Sequence, residues 1–310
     1  MKKELPSYGG QAVIEGVMMR GSNTCAIAVR SPDQSIEIKS EDLGSLYRSS
    51  FSKMPFIRGL FILWDAMVLG IRALTFSANV QTGEDEKIEG KELAFTLLLS
   101  LTLGVVIFFL LPAGAAQLAE NFLGINHIVS NLLEGIIRLA LLLGYMWGIG
   151  KIDEIERVLG YHGAEHKTIN AFEAGAELEV AVVRDFPREH TRCGTAFLFT
   201  VVIFSIVLFS LIGDLTLIER FVSRIVFIPL LASLAYEYIR MTSRIKSPLL
   251  LQLFSAPNLA LQKLTTREPD DDMLEISIAA FKAMYEHETQ EQKIKETGSN
   301  RSMETSPELS

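Results

Sequence analysis

The sequence predicts a mainly α-helical integral membrane protein with about four transmembrane helices, arranged as two helical hairpins, and a small α+β cytosolic part. Three observations predict it. Residues 93–119 contain no Asp, Glu, Lys or Arg, and neither do residues 193–213, whereas ~20 apolar residues are enough to cross a bilayer. Lys and Arg fall on one side of these runs, as they do in cytoplasmic loops. Near the N-terminus, short apolar/polar alternations flank a turn-forming tetrapeptide. A purely soluble protein is excluded.

The N-terminal cytosolic segment is placed at residues 1–92. Its residues 9–21 hold four glycines, read as tight turns, since no Gly-Lys-Ser/Thr ending follows to cradle a phosphate. Glu15 and Arg20 are the residues there with chemistry available. Residues 24–30 and 35–39 read as a β-hairpin around Ser31-Pro32-Asp33-Gln34. Residues 55–74 are apolar but carry Arg58, Asp65 and Arg72, so they are expected as an amphipathic helix in the interface or against the bundle. A crossing there would bury three charges. Residues 79–92 read as a solvated linker.

The first transmembrane hairpin spans residues 93–150, with crossings at 93–118 and 132–150. In the second crossing Glu134 and Arg138 stand four apart and can pair on one helix face. A metal-motif segment occupies 151–194. The second hairpin follows at 195–238, with crossings at 195–213 and 221–238; the last carries Arg224 near one end and Glu237 near the other. Residues 239–285 form a cytosolic or interfacial C-terminal segment. In it, residues 248–264 are expected along the membrane surface, interrupted by Pro257. Asp272 with Glu275 resembles a capping box for a helix with Leu274, Ile278, Phe281 and Tyr285 on one face. Residues 286–310 have little to bury and read as a disordered tail.

Residues 119–131 contain no Lys or Arg, whereas 151–194 contain six and Arg240, Arg244 and Lys246 follow the last crossing. The expected location is the cell membrane, with both termini and the central segment cytosolic. The net charge is −8, from 29 Lys+Arg against 37 Asp+Glu. Residues 270–310, with 4 basic and 10 acidic side chains, supply −6 of it. No nucleic-acid partner is expected, because a phosphate backbone is read by a basic surface.

Chemistry concentrates in the central segment. His162-Gly163-Ala164-Glu165-His166 sets two imidazoles four residues apart, one above the other on a helix, with a glutamate beside the second. This His-x-x-Glu-His order is that of inverted zinc hydrolases, in which the glutamate activates water. A second pair, His190 and Cys193, lies in the same segment, and a cytosolic thiolate is a good zinc ligand. Three of the five histidines thus accompany Cys193. Some subset of these four is the expected zinc site. The alternatives are unrelated surface histidines, a headgroup-facing His190 and Arg192, and a small buried Cys193. Glu173 shares the helix face of His162 but lies about 10 Å beyond His166 along the axis, too far to share an ion. Glu237 is a candidate distant carboxylate ligand, or a partner for Arg240.

Residues 9–21, 161–173, 190–197 (His-Thr-Arg-Cys-Gly-Thr-Ala-Phe), Tyr236-Glu237 and 264–269 (Leu-Thr-Thr-Arg-Glu-Pro) together resemble the bacterial membrane proteins of domain-of-unknown-function family 1385. The resemblance runs from about residue 9 to 281. It implies a metal-dependent membrane enzyme, with no substrate attached. The family's usual proline between the histidine and arginine of the third motif is Thr191 here, which loosens that turn without removing a ligand.

Two functions follow. One is a zinc-dependent hydrolase at the cytosolic membrane face, cleaving a peptide or lipid-derived bond, with Glu165 as general base. His162, His166 and one of His190, Cys193 or Glu237 then hold zinc, leaving a position for water. The other is a membrane scaffold or assembly factor in which His162, His166, His190 and Cys193 close a structural tetrahedral site. A transporter fits less well, because few ionisable residues lie within the spans and no broken-helix pair is evident.

Overall fold

The computed structural model describes residues 8–43, 54–82, 91–213, 215–242, 245 and 248–304. Its first element group is an antiparallel meander, β1 (Gly9–Val13), β2 (Gly16–Arg20), β3 (Thr24–Arg30) and β4 (Ile36–Asp42), paired in sequence order. The β3–β4 hairpin is the expected one, closed by Ser31 N–H on Ser35 O at 2.9 Å. The 9–21 stretch is a second hairpin rather than a series of turns. Val13 pairs with Gly16 across a two-residue turn in which Glu15 takes φ 50°.

Both faces of the central strands are covered. Along β3, Ala26 and Ala28 join a core with Leu274, Phe281 and Met284, while Cys25, Ile27 and Val29 join one with Leu69 and Ala73. The period-2 side-chain alternation of a strand sends these two sets to opposite sides. Helix α5 (Asp153–Glu173), the one-turn helix α6 (Val180–Val183) and helix α11 (Asp271–Glu304) form one layer; helix α1 (Ile57–Thr82) forms the other. The sheet is sandwiched.

At 26 residues α1 is longer than the helix expected over 55–74 and is long and apolar enough to cross a membrane; of the two expected placements, interface or bundle, its first half takes the one against the bundle. Two of its three charges are paired. Arg58 pairs with Glu237 on helix α9 (Ile228–Thr242), and Asp65 accepts from Arg20 of β2 at 2.8 Å. Arg72 lies one turn before Phe76, on the half that meets the sheet. The first half packs on α9, where Gly59 lies against Tyr236 and Ser233 Oγ donates to Phe56 O at 2.6 Å. The second half lies on the sheet through Leu69, Ala73, Phe76 and Val80. The helix therefore runs from the apolar bundle to the polar domain and ties them together. It extends to Thr82, into the stretch read as linker, of which residues 83–90 lie outside the described residues.

Two further helices are long and apolar enough to cross: the run 94–123 and helix α4 (His127–Ile149). The first comprises helix α2 (Lys91–Val105), a π-helical turn (Val106–Leu110) and helix α3 (Leu111–Leu123). Its most apolar stretch buries nothing inside the protein, as suits a surface facing lipid. Pro112 has no N–H to give to the carbonyl four residues back, and that carbonyl, Phe108 O, instead accepts from Arg138 Nε at 2.9 Å. A proline in one helix thus creates the seat for an arginine of the next.

Among the described residues, the third and fourth expected crossings are not single helices of bilayer length. Helix α7 (Thr195–Ser210) is apolar but only 16 residues long. The expected fourth span is two helices, α8 (Leu217–Val226) and α9, meeting at Phe227. Pro229 cannot donate to Ile225 O, which breaks the ladder there, and α8 turns two arginines inward. Arg224 reaches Glu134 through Nε at 2.8 Å and Nη2 at 2.5 Å, and Arg138 reaches the same carboxylate at 2.5 Å. Arg220 pairs with Glu120 at 2.8 Å.

The C-terminal elements also differ from expectation. Helix α10 (Pro248–Thr265) runs unbroken through Pro257 and packs on α7. The cap of α11 is Asp270, whose Oδ1 accepts from Met273 N at 2.9 Å, two residues before the expected Asp272. Leu274, Ile278 and Phe281 are buried as expected, and Tyr285 is half exposed. The stretch from 286 continues as helix to Glu304. Glu288 is buried because its carboxylate accepts the N–H of Ser22 at 2.9 Å.

Glu134 is 1% exposed and holds two arginines that are each equally buried. Glu134→Gln should therefore leave uncompensated buried charge and cost about 3–5 kcal/mol, read as a lowered melting temperature of the detergent-purified protein. Unchanged melting would mean that the aromatic and hydroxyl partners of the arginines suffice.

Candidate metal centre

Helix α5 carries both histidines of the His-x-x-Glu-His motif on one face, as the four-residue spacing requires. His162 Nδ1 lies 2.7 Å from Thr265 O, and His166 Nδ1 lies 2.6 Å from Arg188 O. A carbonyl only accepts, so each Nδ1 carries the proton, and in the neutral ring each Nε2 keeps a lone pair free. Hydrogen bonds of this kind orient histidine ligands of metals. Cys193 Sγ lies 3.3 Å from His162 Nε2, close to the ~3.5 Å separating two ligands of a tetrahedral zinc. Among the described residues, His162, His166 and Cys193 are the His/Cys/Asp/Glu group whose donor atoms all fall within 4.8 Å of one another. By donor type, spacing and ring orientation, this set fits zinc.

Cys193 is held just before α7, where the first N–H groups of the helix have no partner inside it. Thr195 directs its N–H to the sulfur at 3.5 Å, and its hydroxyl lies 3.1 Å away. Glu165 Oε2 stands 3.6 Å from His166 Nε2 and 3.9 Å from His162 Nε2, outside the mutually close trio but beside it. Strand β1 covers this carboxylate. A Cβ on Gly10 would meet Met18 O at 2.6 Å and Glu165 Cγ at 2.8 Å, and one on Gly163 would meet Arg267 O at 2.2 Å. These two glycines let β1 and the 265–269 segment close on α5 from either side.

The remaining candidates lie elsewhere. His190 turns its Nε2 to Glu173 at 3.6 Å, and its backbone is clasped by Gln262, N–H to Oε1 and Nε2 to O both at 2.8 Å. It is buried but not in the trio. Glu173 also receives Arg192; burial pushes its carboxyl up, but the hydrogen bond from His190 and the charge of Arg192 outweigh it and hold it below the usual carboxylate range. Glu237 is no ligand, since Arg58 binds both its oxygens and Phe56 N–H reaches it at 3.2 Å. Arg20 serves the sheet-to-α1 contact. Glu15 holds Arg157 at 2.6 and 2.5 Å and accepts from Tyr161 O–H at 3.2 Å. Cys25 is fully buried between sheet and α1, and burial followed by the Glu41 charge pushes its thiol up to about 12.

Sequence reasoning missed the residues that position the trio: Thr265, Arg188, Thr195, Gly10 and Gly163. Lys167 is another. It is 4% exposed and spans from α5 to Arg184 O at 2.7 Å and Glu268 at 2.6 Å. Thr265 and Glu268 stand in the Leu-Thr-Thr-Arg-Glu-Pro stretch, but no spacing rule connects a backbone carbonyl there with a histidine a hundred residues earlier.

The structure is mainly helical, with three apolar helices of bilayer length among the described residues, compatible with a membrane protein, and a sheet-backed polar domain that carries a His-His-Cys cluster. The chain belongs to the family described as protein of unknown function (DUF1385), whose profile matches residues 54–287. It is 33% identical over 291 residues to the uncharacterized protein YqhQ of Bacillus subtilis (strain 168), covering 89% of this chain and 91% of that one. No solved structure matches it.

The hydrogen bonds from Arg157, acting against burial, hold the Glu15 carboxyl below its usual range. A depressed carboxyl contributes stability above its unfolded value of ~4.3 and loses it as pH falls through the folded one. Arg157 is half exposed, so Arg157→Met should cost about 0.5–1 kcal/mol at neutral pH and nothing in acid. Chemical denaturation across pH tests this; a pH-independent difference would mean that Arg157 acts by packing alone.

Proposed function

We propose that this is a multi-pass protein of the cell membrane whose polar domain, with both termini, faces the cytosol, and that it is a zinc-dependent hydrolase acting there. The observation that carries the reading is the three-donor set. His162, His166 and Cys193 converge, while His190, the fourth ligand expected of a structural site, lies outside the group and turns its Nε2 toward Glu173. Three protein ligands with an open position is the pattern of catalytic zinc. When bound, the metal acidifies water and polarises the oxygen of the scissile group.

The chain's own residues supply the rest. Thr265 and Arg188 hold the imidazoles through Nδ1, and Thr195 holds the sulfur. Glu165, next to both Nε2 atoms, takes the proton from the attacking water and returns it to the leaving group. Burial favours a second reading: His166 is 1%, Glu165 4% and Cys193 6% exposed. In that reading Glu165 closes the site as fourth ligand, and the metal staples a scaffold.

Zinc content tests the site, and Glu165→Gln separates the two readings. The purified protein should carry a single zinc per chain, and His162→Ala with His166→Ala should abolish it; retention of stoichiometric zinc by that variant would remove these histidines from the site. Glu165→Gln should keep zinc and fold yet fail to complement a deletion strain. Full complementation would sink the hydrolase, and loss of zinc with a lowered melting temperature would favour the scaffold.

The orientation rests on the Lys/Arg asymmetry. Both native cysteines are buried, so introduced ones report cleanly. A membrane-impermeant maleimide on intact cells should label Asn121→Cys at the end of α3 and miss Glu177→Cys beyond α5; the opposite pattern would invert the topology.

A further inference from the structure

The apolar bundle contains a half-open cavity of about 500 Å³ between α2 with its π-helical turn, α4, α7 and α10. Its walls are almost all carbon, with Gly104, Phe108, Leu142, Met146 and Val202 among them. Along α4 the lining runs on one face from Arg138 to Ile149. Eleven residues at ~1.5 Å each make about 16 Å, half of the ~30 Å hydrocarbon core and so the depth of one leaflet. Arg138 closes the deep end, with its guanidinium 5.3 Å over the Phe109 ring and its donors taken by Glu134, Ser205 and Phe108 O.

The shallow end reaches the metal centre. Thr265 lines the cavity, and its carbonyl is the one that holds His162. Its hydroxyl donates to Thr195 Oγ1 at 3.4 Å, which in turn lies 3.1 Å from Cys193 Sγ. Leu159, another wall residue, precedes His162 by three positions on the same helix. The cavity and the site thus share one wall.

Water gains nothing in a space without polar partners, and an empty space of this size forfeits dispersion contacts along its whole lining. Two of the wall elements, the run 94–123 and α4, are long and apolar enough to cross a membrane, so in the membrane setting proposed above the material at hand is the lipid chain itself. We infer that the cavity holds one acyl chain of a membrane phospholipid from the leaflet on the metal-centre side, presenting its ester end at His162, His166 and Cys193. The substrate class is then lipid rather than peptide. This clause about the substrate rests on the hydrolase reading; the chain site rests on the cavity alone.

Gly104 offers the test, because it lines the cavity and a Cβ there meets no heavy atom within 4 Å, so Gly104→Trp has room to set its indole against the cavity wall. Val201→Phe, from the α7 wall, is an independent second filling. Protein in liposomes containing a phosphatidylglycerol with a diazirine on its acyl chain is irradiated, the adducts are mapped by mass spectrometry, and zinc is measured on the same samples. The expected result is labelling of Leu142 and Met146 that falls several-fold in both variants while zinc content is unchanged. Labelling confined to outward-facing residues such as Phe95 and Leu98, or cavity labelling unaffected by either filling, would overturn the proposal. A protein without zinc whose cavity labelling is still lost in both variants would uphold the chain site and defeat the hydrolase.

Discussion

Everything at the candidate centre depends on how tightly helix α5 is clamped. Two histidines one turn apart on any helix can face the same point, but a ring free to rotate presents its lone pair nowhere in particular. Here a carbonyl from the end of α10 takes Nδ1 of His162, and a carbonyl from the segment before α7 takes Nδ1 of His166. The clamp closes only because Gly10 and Gly163 carry no side chain where β1 and the 265–269 segment approach α5. Steric permission at two glycines thus becomes chemical direction at two nitrogens.

The apolar half is organised by a different necessity. A buried arginine among apolar helices must satisfy a whole fork of donors, and Arg138 does so with Glu134, Ser205 and a carbonyl that Pro112 leaves free. Arg224 shares the same carboxylate and lies 4.1 Å over the Phe209 ring, so aromatic faces share in solvating a cluster that carries two positive charges and one negative. This network joins α4, α7, α8 and the π-helical turn, and it explains why the fourth apolar stretch does not run as one straight helix.

Helix α1 links the two halves. Its first turns pack on α9 and its last on the sheet, so the polar domain is not a loop hung between hairpins but a sandwich seated on a helix that leaves the bundle. The same geometry brings α10 back from the bundle to α5. The centre is therefore assembled from both halves, with histidines from the polar domain, a thiol from the start of an apolar helix, and the orienting carbonyl from the end of another.

The sequence by itself determined the local features: the apolar runs, the β3–β4 hairpin, and the His162/His166 face, because charge absence, turn chemistry and helical period act over a few residues. It also named Cys193 among the ligand candidates. It could not separate Cys193 from His190, nor retire Glu237, because those choices turn on partners 17 to 179 positions away: Glu173 and Gln262 for His190, Arg58 for Glu237. It read Glu288 as part of a featureless tail, although that carboxylate meets a backbone N–H of residue 22. Only the tertiary structure decided these points, since a polar side chain's role is set by which donor or acceptor the fold brings within 3 Å of it, and that distance is not encoded in spacing along the chain.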